Sequence, residues 1–156
     1  MTNAWRRVRR SAAVLGAALA MACAVPSTAS ASVWDDNTDP MIRCSGDART
    51  IASLPMTPEY GGPVVTHLEV RYSPSCGTNW VRVWNPYATG THESYLTIRR
   101  DQPGGGGKVT ARLREYGYQW TYQIWAPGCI YVSAALVNLT THRVDAGGFN
   151  QEVRVC

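Results

Sequence analysis

From about residue 48 to the C-terminus, short runs of β-branched and aromatic residues alternate with polar ones and are punctuated by Gly, Pro and Asn. A period of two marks strands with one face against a core. The pattern predicts strands at 66–73, 79–85, 94–100, 108–116, 118–125, 129–139 and 150–156, and a further one at 48–54. Their spacing follows the roughly eight-to-twelve-residue rhythm of antiparallel sandwiches and barrels. No stretch sustains a helical period, and no internal repeat is evident. Pro103-Gly104-Gly105-Gly106-Gly107 reads as a hairpin tip or exposed loop. The expected fold is all-β, a small antiparallel sandwich or barrel.

One hairpin is specified in detail. Leu68, Val70 and Tyr72 alternate with Glu69 and Arg71, while Val81 and Val83 alternate with Trp80, Arg82 and Trp84. Setting Val70 opposite Val81 and Leu68 opposite Val83 gathers the aliphatic side chains on one face. It also sets Glu69 against Arg82 and Arg71 against Trp80, pairs worth a few tenths to about 1 kcal/mol each. A one-residue slip would oppose Val70 with Arg82, which disfavours it. The outer face then carries Glu69, Arg71, Trp80, Arg82 and Trp84, with the two tryptophans about 13 Å apart along one strand.

The head of the chain reads differently. Arg6, Arg7, Arg9 and Arg10 precede an apolar run from Ala12 to Val25 and the small residues Ser27-Thr28-Ala29-Ser30-Ala31. That order predicts a secretory signal peptide over 1–31, removed after Ala31, whose apolar run is too short to span a bilayer. Residues 32–47 are expected as a loose N-terminal arm and 48–156 as a single β domain. The net charge of +4 then belongs to the leader, because residues 32–156 carry eleven basic and eleven acidic side chains. A neutral domain lacks the electrostatic drive toward nucleic acid or anionic lipid, so neither is an expected partner. Fourteen arginines against the single Lys108 suggest a GC-rich bacterial genome.

Cys23 leaves with the leader, and Cys44, Cys76, Cys129 and Cys156 remain. An even number in a secreted domain predicts two disulfides, with three connectivities open. Cys44–Cys76 and Cys129–Cys156 are favoured, each closing a loop of roughly thirty residues worth about 3–4 kcal/mol in the chain-entropy model.

Leu68-Glu69-Val70-Arg71-Tyr72-Ser73-Pro74-Ser75-Cys76 followed by Trp80-Val81-Arg82-Val83 resembles the signature of the YjfA-like family, secreted bacterial domains of uncharacterised function. Asp39-Pro40 and Cys44-Ser45-Gly46-Asp47-Ala48-Arg49-Thr50 resemble its upstream elements. The resemblance covers roughly residues 37–84. It implies secretion and a compact disulfide-bonded domain, and the family's cysteine spacing supports Cys44–Cys76. It implies no activity. The chain lacks a further cysteine that the family places before the Asp-Pro pair, and Cys129 and Cys156 have no counterpart there.

Candidate chemistry is sparse. Asp35, Asn37 and Asp39 have the alternating oxygens that open a calcium loop, but Pro40 stands at the glycine of the turn and Gly46 at the bidentate glutamate, leaving a solvated acidic arm as the better reading. His67, His92 and His142 lack paired metal-ligand spacing, so no metal or cofactor is expected. No G-x-S-x-G elbow is present, and Val109 breaks the phosphate-loop pattern after Lys108. Asp47, Glu59, Glu69, Glu93, Asp101 and Glu115 read as surface charge unless the fold pairs two of them.

The positive lead is aromatic. Fourteen Trp, Tyr and Phe residues fall in 32–156, with Tyr118, Trp120 and Tyr122 alternating like Trp80 and Trp84. Core packing is the weightier reading of such rings in a small sandwich, with a ligand surface beside it. The leading expectation is a secreted, non-catalytic binding or structural module. It would meet a cell-envelope glycan or an extracellular protein through Trp80 and Trp84, with Arg71 and Arg82 donating hydrogen bonds. A small secreted hydrolase of cell-wall polymer is the alternative, which predicts two carboxylates or a His–carboxylate pair within reach; a secreted inhibitor or toxin is the third reading.

Overall fold

The computed structural model describes residues 33–102, 107–149 and 151–156, which contain ten strands. The leader predicted over 1–31 and most of the glycine-rich tip, 103–106, lie outside the described residues. One antiparallel sheet has the order β1 (Arg49–Met56), β2 (Thr66–Ser73), β3 (Thr78–Asn85) and β6 (Gly117–Trp120), with β7 (Ile124–Trp125) also paired to β3. The other has the order β10 (Val153–Val155), β8 (Ile130–Asn138), β4 (His92–Arg100) and β5 (Lys108–Leu113), with β9 (Val144–Gly147) also paired to β8. The sheets form a sandwich and not a closed barrel.

The core lies between them. Leu68 and Val70 of β2 and Val81 and Val83 of β3 meet Leu96 and Ile98 of β4 and Val132, Ala134 and Leu136 of β8, all buried. Each large aliphatic so removed from water contributes about 1.5–3 kcal/mol. The β2–β3 hairpin has the register its alternation predicts: Leu68 faces Val83, Glu69 faces Arg82, Val70 faces Val81 and Arg71 faces Trp80.

Elsewhere the elements differ from the expected ones. The strand predicted at 118–125 is interrupted because Thr121 satisfies Val81 twice: its Oγ1 accepts the Val81 N–H at 3.3 Å and its N–H donates to Val81 O at 3.0 Å. The following Gln123 turns its main chain to Asn37 and Thr38. β9 has no strand signal of its own, because Asp145, Gly147 and Gly148 break a short alternation, yet Ala135, Leu136 and Val137 of β8 pair with it. β1 runs on through Pro55, which an edge strand tolerates.

Residues 33–47 are docked, correcting the expectation of a loose arm. A 3-10 turn (Val33–Asp35) leads to a one-turn helix α1 (Pro40–Arg43). Asp39 caps that helix, its Oδ1 accepting from Met41 N at 2.9 Å, and Pro40 supplies the preset φ of a first helical residue. Three contacts tie the segment to the sandwich: Gln123 Nε2 donates to Thr38 Oγ1 (2.8 Å), Trp125 N to Asp36 Oδ1 (2.6 Å), and Arg100 pairs with Asp36. Asp35 is buried and pairs with Arg43 at 3.3 Å. The acidic run read as solvated therefore has structural partners.

Cys44–Cys76 and Cys129–Cys156 form the two disulfides. Bonds of this kind belong to an oxidising, extracellular-type environment. Among the described residues no helix is long and apolar enough to cross a membrane.

Candidate functional site

The outer face of the β2–β3–β6 sheet gathers the candidate residues. Trp80 and Trp84 both point outward from β3, but their surroundings diverge. Trp80 is 2% exposed, covered by the Cys44–Cys76 disulfide, Ala48 and Trp120. Its expected place as an open stacking ring is thus corrected: the covalent link holds the N-terminal segment over it, leaving it a nearly buried lining residue of one pocket. Trp84 is 37% exposed.

Around Trp84 the neighbouring strand builds an aromatic shelf. Tyr118 is the cross-strand partner of Trp84 in β6, its ring edge-on with centroids 5.0 Å apart. Tyr116, two residues earlier, meets the same indole edge-on at 5.2 Å. Gly117 between them has φ +103°, a conformation that favours glycine. The turn before it is fixed by Asn85, whose Nδ2 donates to Glu115 O (3.0 Å), and by Thr89 Oγ1, which accepts the Tyr116 N–H (3.0 Å). Tyr116, Tyr118 and Tyr122 are each at least half exposed. Edge-to-face contacts contribute about 0.5–1.5 kcal/mol each beyond area burial, so the rings hold one another while their outer surfaces stay wet.

Two pockets flank this shelf and share Tyr118 and Trp120 as walls. The first, of about 350 Å³, is lined by Met41, Ser45, Arg71, Trp80, Arg82, Tyr118 and Trp120. Arg82 sits across from Glu69 and Trp120 on its two neighbouring strands. Its Nε donates to Glu69 Oε2 at 2.6 Å, while its guanidinium lies 4.5 Å from the Tyr118 ring centroid. Arg71 donates to neutral oxygens, Thr50 Oγ1 (2.7 Å) and Ala48 O (2.8 Å). Burial, and then the like charge of Arg82, push its proton affinity below that of an ordinary arginine, with Glu69 opposing.

The second pocket, of about 340 Å³, lies across Trp120 and is lined by Asp39, Leu113, Glu115, Tyr118, Gln119, Trp120 and Tyr122. Asp39 Oδ1, already capping α1, also accepts from Trp120 Nε1 at 3.1 Å and fixes the indole between the pockets. Gln119 donates its Nε2 to Glu115 O, so its Oε1 is the free end, and that oxygen is buried with no hydrogen-bond partner among the described residues. Buried polar atoms are rarely left unmatched, and this one is sealed from the pocket's solvent by its neighbours.

The structure thus places Arg71, Arg82 and Trp84 around one surface. Tyr116, Gln119, Met41 of α1 and Ser45 just beyond it carry no local signal of their place here, because which strand lies beside β3, and what covers it, is not written in local alternation. A His–carboxylate contact exists elsewhere: His92 Nε2 lies 2.8 Å from Asp145 Oδ2 and its Nδ1 3.0 Å from Thr91 Oγ1. Tyr87 stacks on the ring at 3.6 Å between centroids. With both nitrogens engaged and one ring face covered, His92 is held as a structural tie between β4 and β9. Among the described residues no group of three or more His, Cys, Asp and Glu is placed to hold a metal ion. No family model, curated protein or solved structure matches the chain.

Proposed function

We propose that this chain is a secreted, non-catalytic binding module whose ligand is a glycan of the cell envelope. The observation that carries this reading is the contiguous exposed shelf of Trp84, Tyr116, Tyr118 and Tyr122, with pockets on both sides of Trp120. Flat rings with polar tips suit sugar faces, which present C–H groups to stack and hydroxyls to bond. Arginine donors on one side and the Asp39 and Glu115 carboxylates on the other match those hydroxyls. Export is supported by the leader-like head, by the resemblance of residues 37–84 to the secreted YjfA-like family, and by two disulfides. The hydrolase alternative has the His92–Asp145 contact in its favour, but that imidazole is buried and the Thr91 hydroxyl beside its Nδ1 donates its proton to Ala88 O at 2.7 Å, so the hydroxyl is not set up as a nucleophile activated by His92.

Affinity electrophoresis through gels containing soluble cell-wall polysaccharides tests the proposal. The protein is expected to be retarded, and Trp84→Ala or Tyr122→Ala to weaken retention by roughly tenfold, the scale of one lost stacking contact. No retardation of the parent in any gel would remove glycan binding, and equal retardation of the parent and both variants would remove these rings from it.

A further inference from the structure

We infer that the pocket between α1 and β3 selects a carboxylate-bearing sugar, a hexuronate or similar acidic unit, over its neutral counterpart. The inference rests on the glycan reading above and specifies its substrate class. Two cations, Arg71 and Arg82, line this pocket, and no carboxylate does. Glu69 is the one acidic side chain paired to either of them among the described residues, leaving one positive charge uncompensated. The donors are also left over: Arg82 uses only its Nε on Glu69, and Arg71 spends two of its five N–H groups on the neutral oxygens of Thr50 and Ala48. Burial and mutual repulsion make Arg71 costly as it stands, a cost that an entering anion relieves.

The shape suits a ring rather than a bare ion. Trp120 and Tyr118 form walls on which a pyranose can lie, and the nearly buried Trp80 also lines the pocket. A planar carboxylate on that ring matches the fork of a guanidinium, as the smaller hydroxyl of a neutral sugar does not. Apart from Glu69, which is paired with Arg82, the acidic groups Asp39 and Glu115 stand across Trp120 in the second pocket. An acidic unit is therefore directed to the arginine side and a neutral one to the other, which orients a chain crossing the shelf.

The test is a glycan array carrying uronate oligosaccharides beside their carboxyl-reduced, neutral counterparts, probed with the purified protein at low and high salt. Binding to the uronate member is expected to exceed that to its reduced partner by roughly tenfold or more, the scale of a hydrogen bond to a charged group. That preference should shrink in high salt and disappear in Arg71→Met and Arg82→Gln. The salt series guards against a variant that fails to fold. Equal binding to both members, or a preference indifferent to salt, overturns the acidic-sugar assignment while leaving glycan binding intact. Binding to no glycan on the array overturns both.

Discussion

At the scale of residues, position on a face decides less than what else reaches that face. Arg82 illustrates this: one guanidinium bonds Glu69, stacks over Tyr118 and lines a pocket, so cross-strand pairing and ligand recognition draw on the same group. Charge also sets the acid limit of the fold. Hydrogen bonds from Tyr95 and Arg114 hold Glu93 below the usual carboxylate range, and the Ser73 hydroxyl with the Ser75 N–H does the same for Asp47. Arg99 acts likewise on Glu152. A carboxyl depressed in the folded state binds its proton more readily when unfolded, so its contribution is complete above the ordinary range near pH ~4 and is lost as the pH falls through the folded values. Urea midpoints measured from about pH 6 to about pH 3 are therefore expected to drop, and to drop less steeply in Glu93→Gln. A midpoint independent of pH over that range would contradict these assignments.

At the scale of elements, the N-terminal segment is part of the site as well as of the fold. Asp39 caps α1, accepts from Trp120 and lines the second pocket, so one carboxylate links helix, shelf and ligand face. Asp39→Ala is expected to cost about 1–2 kcal/mol, chiefly the lost cap, and to raise hydrogen exchange over residues 40–44 ahead of global unfolding. Unchanged exchange there would show that the cap adds nothing to what the disulfide and the Asp36 and Thr38 contacts already hold. The same segment marks the boundary of what sequence can tell. The β2–β3 register was legible because Val70, Val81 and their charged neighbours decide it between themselves. The docking of residues 33–47 was not, because its partners Trp120, Gln123 and Trp125 lie some eighty residues on. Likewise β6 joins β3 only after the chain has crossed to the other sheet and back, so Tyr116 and Tyr118 met Trp84 without any local signal.

At the scale of the molecule, the two disulfides close loops of similar length but do different work. Cys44 is fully buried with Cys76 against Trp80, whereas Cys129–Cys156 ties the terminal strand β10 near the start of β8 and Cys156 is exposed. Chain entropy gives each about 3–4 kcal/mol. Replacing Cys44 and Cys76 by Ala should therefore destabilise more than replacing Cys129 and Cys156, because it also loosens the cover on Trp80. Equal losses in thermal unfolding would assign the whole effect to the unfolded chain.

The central claim is that one strand carries two tryptophans with opposite employment, one inside the fold and one held out for a ligand. Trp80→Ala and Trp84→Ala, measured side by side for urea stability and for retention by cell-wall polysaccharide, test it most directly. Trp80→Ala is expected to lose about 3–5 kcal/mol as a large core truncation, while Trp84→Ala keeps most of its stability and loses binding. Trp84→Ala unfolding as readily as Trp80→Ala, or a stable Trp84→Ala that binds like the parent, would contradict it.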